Sequence, residues 1–275
     1  MLGIALSTQY ILTYIEHKNA DEHLKEIDDL AIKQCNSKNE VYVNISHDSL
    51  QQKAQLFFYL TIRLKYGLKK ASRREFFIQS TLACMESIYT MLANSTNVEL
   101  MPFTQLYSLS LFFHGLANLS AVGISNKRIW HILNEMSYTT RIPTPHCNRL
   151  SMLYAVKRLI STIDDIPAYW KEYYEMLYTY TSIGTILNTE MKGRQQAFLN
   201  GVSGVVFLSL LTFGREYKEK CDITKEAYYQ LAFKELTIKD PNKKANTQIA
   251  GLNGLFGMKL LYDNFERLQE QSYIF

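Results

Sequence analysis

Several short stretches hold the residue types that do chemistry. The run RLKYGLKKASRRE gathers Arg63, Lys65, Lys69, Lys70, Arg73 and Arg74 around one turn. Such a density of cations suits an acidic peptide, nucleic acid or an anionic partner surface. The aromatic interleaving of nucleic-acid readers is thin there, and a solvated turn placing bases at a helix C-terminus is the plainer alternative. Carboxylates fall as neighbours, Asp28-Asp29 and Asp164-Asp165, with Glu190 apart. Glycoside hydrolysis needs two acids converging across a sugar ring, whereas adjacent acids at a helix start serve as caps. His114, in FFHGL, titrates near neutral pH and is a candidate general acid or base; its alternative is to cap a helix or donate to a carbonyl. Asn200 and Asn253 each precede a glycine, in FLNGVSG and GLNGLFG. Neither a Gly-x-Ser-x-Gly elbow nor a phosphate loop occurs.

Composition narrows the class. The 275 residues are 47% hydrophobic and 20% charged, within the range of ordinary globular domains. A net charge of +4 is too mild a field to require nucleic acid. Cys35, Cys84, Cys147 and Cys221 lie far apart with no Cys-x-x-Cys pair, so free thiols in a reducing cytosol are expected, not a disulfide framework. The opening MLGIALSTQYILTYIEH lacks the basic leader and cleavage site of a signal peptide. The longest apolar stretch, Val202 to Phe213, is too short to span a bilayer. A soluble, cytoplasmic protein is the expectation.

The elements that must position these residues read as helices throughout, because apolar residues recur at helical spacing and period-2 alternation is scarce. NADEHLKEIDDLAIKQC predicts a helix capped by Asn19, with Leu24, Ile27, Leu30 and Ala31 on one face. SLQQKAQLFFYLTIRLKYGL and SRREFFIQSTLACMESIYTML predict an antiparallel pair turning between Gly67 and Ser72, with Ser72 and Glu75 as a capping box. DDIPAYWKEYYEMLYTY predicts a helix capped by Asp165 with Pro167 in its first turn; its aromatics suit outer-helix packing, or a peptide-binding surface if exposed. Only EVYVNIS, residues 40–46, alternates like a strand. The fold class is all-α.

A repeat runs through these helices. Gly204 and Gly257, the second glycines of FLNGVSG and GLNGLFG, are 53 residues apart, and Met152 lies 52 residues before Gly204. His114-Gly115 takes the place of Asn200-Gly201 and Asn253-Gly254. Gly3 marks a partial N-terminal copy, and SLQQKAQLFFYL fills a further one without glycine. The phasing is irregular, since Asn118 and Met152 are only 34 residues apart. Helix pairs at a period near fifty residues indicate stacked hairpins. Nearly all-apolar inner helices favour a closed α/α barrel over an open solenoid, whose concave face would be more polar.

These Gly-x-x-Gly helix starts, repeated at 114–118, 201–204 and 254–257, resemble those of the lanthionine synthetase C-like (LanC-like) family. The resemblance covers essentially the whole chain and implies a single α/α toroid over residues 1–275. The chain begins inside the first copy, so the start of that repeat is absent or supplied otherwise. Members of the family use zinc to add cysteine thiols to dehydrated Ser or Thr in ribosomally made peptides. Their zinc is held by a cysteine in a Trp-Cys-x-Gly motif and by adjacent cysteine and histidine in a Cys-His-Gly motif. PHCNRLSM matches the first, putting Cys147 at the ligand position, with His146 in place of Trp and Arg149 in place of Gly. FLNGVSG matches the second, with Leu199 and Asn200 where the cysteine and histidine belong. His114 matches a histidine that faces the centre of the ring in active members.

Catalytic zinc needs three protein ligands and an open position, and one thiolate does not supply them. The resemblance therefore implies a degenerate cyclase homologue, without cofactor, that binds a peptide or a partner enzyme. In that role Asn200, Asn253 and the basic residues 63, 65, 69, 70, 73 and 74 are the candidate peptide contacts. Asn200 and Asn253 also suit local capping at a helix start. Two other readings stand beside it: an active, zinc-dependent cyclase with a site rearranged around His114, His146 and Cys147, and an α/α-barrel carbohydrate enzyme.

Overall fold

The computed structural model describes residues 24–36, 47–66, 68, 71–93, 103–191, 201–221, 223–233 and 255–270, and every regular element among them is helical. Asn19, the expected strand over 40–46, the N-terminal motif at Gly3, and Lys69, Lys70, Leu199, Asn200 and Asn253 lie outside the described residues. The helices are α1 (Lys25–Asn36), α2 (His47–Tyr66), α3 (Ala71–Ala93), α4 (Phe103–Ala121), α5 (Asn126–Ser137), α6 (His146–Thr162) and α7 (Ala168–Tyr180). They continue with α8 (Ile183–Thr185), a π-turn (Ile186–Glu190), α9 (Val202–Phe213), α10 (Tyr217–Lys220), α11 (Lys225–Phe233), α12 (Leu255–Asp263) and α13 (Phe265–Glu270). Backbone contacts define two compact units: Met1–Pro143 with Ala155–Glu175, and Thr144–Tyr154 with Met176–Phe275.

In the first unit α2 packs along α4 and against α3, and α1 contacts both α2 and α3. The α2–α3 pair is antiparallel as expected, because Lys53 reaches Ser87 while Arg74 reaches the Leu64 carbonyl. α3 is described from Ala71, and the expected capping box falls on the Ser72 side chain, which lies outside the described ones. α1 is also rotated from its expected face. Leu24, Asp28, Ala31 and Ile32 are buried, whereas Leu30 is 45% exposed. The acid at position 28 turns inward with the apolar residues because its partners are inside.

Every residue from Ser108 to Leu119 of α4 is buried, as a helix surrounded by others requires. α5 is amphipathic and buries only Ile129, Ile132, Leu133 and Met136. Between them, Gly123 has φ +72° while its N–H donates to the Ser120 carbonyl and the Ile124 N–H to that of Leu119. That pattern is a Schellman stop, and its left-handed residue favours glycine. α7 begins at Ala168, directly after Pro167, and Asp165 is left exposed two residues before that proline. Two of its aromatics are packed inside, where Trp170 Nε1 donates to the Leu133 carbonyl (3.0 Å) and the Tyr173 hydroxyl to that of Arg141 (2.9 Å), whereas Tyr180 is exposed.

The expected glycine starts divide into two groups. In the second unit, α9 begins at Val202, directly after Gly201; α12 is described from Leu255, and Gly254 before it lies outside the described residues. α9 buries Val202, Val205, Val206, Leu210, Leu211 and Phe213 around its circumference, and α11, α12 and α13 pack on it. The Tyr228 hydroxyl of α11 ties Ser203 Oγ (3.0 Å) to the Met258 carbonyl (3.3 Å). His114-Gly115, by contrast, does not open a helix, because α4 already runs from Phe103. Gly115 is there for close approach: a Cβ at that position would sit 2.3 Å from Phe57 Cε1.

Gly115→Ala is therefore expected to destabilise the protein by about 1–3 kcal/mol, the usual range for overpacking. Urea unfolding of Gly115→Ala, Phe57→Leu and the double variant checks it, and the double variant should lose less than the two singles together.

Candidate functional site

The described residues of the basic turn are tied to the helices around it, and Arg63 is buried outright. Arg63 lies on the buried stripe of α2 beside Tyr59, Leu60 and Leu64. It forks onto Asp28, Nε to Oδ1 and Nη2 to Oδ2, each at 3.0 Å. The Tyr59 hydroxyl donates to the same Oδ1 (2.7 Å), and Arg73 Nη2 to Oδ2 (3.1 Å). Both Arg63 and Asp28 are fully buried. Burial, then the Asp28 charge and hydrogen bond, push the Tyr59 phenol far above its ordinary range, so Tyr59 stays a donor. Arg73 also reaches Asp29 and the Lys25 carbonyl, and its guanidinium lies over the Phe77 ring. Arg74 donates to the Leu64 carbonyl (2.9 Å) at the end of α2. Lys65 lies over the ring of Tyr66.

Arg63 is thus not a peptide contact, and Arg73 and Arg74 are tied to the helices around them. The plain alternative of a solvated turn also fails for Arg63. The signal was present in the sequence: an acid on the buried stripe of one helix and an arginine on that of the next each need a partner inside.

His114 belongs to a second buried polar row, also in the first unit. Arg158 Nη1 lies 3.2 Å from His114 Nδ1, and Arg158 Nη2 donates to Asn118 Oδ1 at 2.8 Å. Asn118 Nδ2 donates to Thr61 Oγ1 (3.2 Å), which donates to the Phe58 carbonyl (2.8 Å). Arginine only donates, so Nδ1 is the acceptor and the imidazole proton sits on Nε2. Burial, and then the Arg158 charge, hold His114 well below the ordinary histidine range. The ring is a neutral buried acceptor, and it joins α4 to α6 through Arg158.

The third constellation, in the second unit, surrounds Cys147. α6 begins at His146, and Glu190, the last residue of the π-turn, caps it from 43 residues away. Glu190 Oε1 accepts the His146 N–H (2.7 Å) and Oε2 the Cys147 N–H (2.8 Å). The first N–H groups of a helix lack intrahelical partners, and a carboxylate satisfies them while meeting the positive dipole end. Burial raises the Glu190 pKa, but those two bonds, the Cys147 side chain and His146 outweigh it and hold the carboxyl below its ordinary range. His146 Nδ1 accepts the Ser182 N–H (3.0 Å), and Arg149 Nη1 donates to the Tyr180 carbonyl (2.8 Å). Cys147 is half-buried, its sulfur 3.6 Å from Asn148 Oδ1.

The structure therefore brings His146 and Cys147 together with Glu190, while His114 belongs to the other unit. Among the described residues no group of three His, Cys, Asp or Glu side chains is placed to hold a metal ion. The acids weighed for sugar chemistry have separate roles: Asp28 is in the ion cluster, Asp165 is in an exposed turn and Glu190 caps α6. No described helix is long and apolar enough to cross a membrane. No family model matches the chain, and no curated protein or solved structure is significantly similar to it.

Two acid windows follow. The unfolded chain takes up a proton below about pH 6.5, which native His114 refuses, and another below about pH 4.3, which native Glu190 refuses. Stability is complete above each value and declines as pH falls through it, by up to about 1.4 kcal/mol per pH unit for buried His114 and less for part-exposed Glu190. Denaturant unfolding against pH should show His114→Gln removing the first decline and Glu190→Gln the second.

Proposed function

We propose that this chain is a LanC-like protein of peptide modification that works by binding a peptide or a partner enzyme, not by zinc-dependent thioether formation. The start of α9 directly after Gly201 supports the family reading. So does the alternation of a helix buried all round, α4, with amphipathic α5 and α7. A closed toroid of hairpins is the arrangement this reading assigns. The observation that carries the non-catalytic role is the turn holding Cys147. A family zinc ligand would sit there; in this chain the neighbouring carboxylate of Glu190 is spent on capping the two backbone N–H groups, and His146 Nδ1 accepts the Ser182 N–H, so both neighbours serve structural bonds. The partner residues Leu199 and Asn200 offer no thiolate or imidazole, and neutral His114 is held by Arg158.

Elemental mass spectrometry of the purified protein and of Cys147→Ala tests this. Zinc well below one per chain is expected in both, and stoichiometric zinc lost in the variant would contradict it. A labelled peptide containing cysteine and dehydrated serine should bind saturably by fluorescence anisotropy without losing its free thiol. Consumption of that thiol above the uncatalysed rate would revive the cyclase, and absence of binding would remove the peptide from the proposal.

A further inference from the structure

The seam between α4 and residues 155–162 of α6, all in the first unit, is bridged by a long side chain. Among the described residues the backbones of these two helices make few close approaches, whereas α2 lies along α4. Arg158 crosses the gap. It is buried, and its two Nη atoms meet His114 Nδ1 (3.2 Å) and Asn118 Oδ1 (2.8 Å), which are one turn apart on α4. Asn118 passes the row on to Thr61 of α2 (3.2 Å). Phe58, one turn before Thr61, lies beside the imidazole with ring centroids 6.1 Å apart.

The contact between Arg158 and His114 exists in one protonation state only. A guanidinium donates and never accepts, so Nδ1 must present a lone pair. A proton on that nitrogen sets donor against donor, and it puts an imidazolium 3.2 Å from a guanidinium among buried side chains. Like charges so close repel strongly where water is excluded. Arg158 is the charged group that acts on the ring, and it comes from α6. From α2 the ring meets neutral Phe58, and Asn118 on its own helix is neutral too. The proton therefore enters only after Arg158 has moved away. The Asp28 cluster, which ties α1, α2 and α3, contains no imidazole, so the histidine range leaves it as it is.

We propose that His114 and Arg158 form an acid-sensitive latch, which holds residues 155–162 of α6 to α4 at neutral pH and releases them on acidification. In the open state the imidazole is solvated and takes up a proton below about pH 6.5, which the closed seam refuses. Each pH unit below that value multiplies the open population by up to about ten. Acid thus loosens one seam of the first unit ahead of the others, as local opening allows.

Hydrogen exchange of the full-length protein, read by peptide mass spectrometry between about pH 7.5 and about pH 5 and normalised to the intrinsic rate, tests the latch. At about pH 5, residues 155–162 should open at least about tenfold more often than residues 57–64 of α2. Their opening should rise by up to about tenfold per pH unit below about pH 6.5. His114→Gln keeps an acceptor for Arg158 but takes up no proton, so in that variant the rise should vanish. Where the variant does not fold, nitrogen NMR of the wild-type imidazole gives a second reading: the protected ring should remain the neutral Nε2–H form under acid. Equal protection of the two segments at the acid end, or an opening of 155–162 that ignores pH, would overturn the proposal. So would an unchanged rise in His114→Gln, or an imidazolium inside a seam that is still protected.

Discussion

One carboxylate organises the first unit. Asp28 is fully buried and accepts four hydrogen bonds, two from Arg63 and one each from Tyr59 and Arg73. An isolated charge inside a protein is costly, and removing one member of a buried pair strands the other. α1, α2 and α3 each contribute a member, so their mutual rotation is fixed by where these atoms can meet. α2 then sets Phe57 against Gly115 and Thr61 under Asn118 on α4. Through Asn118 the polar row continues to Arg158 and His114.

Much of the side-chain chemistry marked by residue type is thereby spent on holding helices together. His114 is a neutral acceptor for Arg158, three arginines of the basic turn serve helices around it, and Glu190 closes the start of α6. In these three clusters the buried charged and imidazole groups have structural partners that account for their positions. Such a scaffold suits a protein whose function is recognition, which is the role proposed for it.

The all-α class was legible because helical periodicity depends on local spacing alone. The start of α9 was legible for the same reason, since a glycine before a long apolar run marks a boundary. Gly115 was misread as a third start because sequence cannot separate a glycine that begins a helix from one that admits a neighbouring ring. The face of α1 was misjudged at Leu30, since apolar periodicity takes no account of an acid whose partners lie on two other helices. The cap from Glu190 to His146 and Cys147 is a contact between distant segments, and nothing near either one encodes it. α7 was largely legible because its aromatics repeat at helical spacing, although Pro167 sets the start two residues beyond Asp165.

The most direct test of the buried-carboxylate account is a denaturant-unfolding cycle on Asp28→Leu, Arg63→Met and the double variant. Each single should lose about 3–5 kcal/mol, because it strands a buried charge, while the double should recover much of that loss by leaving an apolar pair. Single variants within about 0.5 kcal/mol of the wild type, with losses that simply add, would mean that Asp28 and Arg63 are solvated and that the helices are held in place by something else.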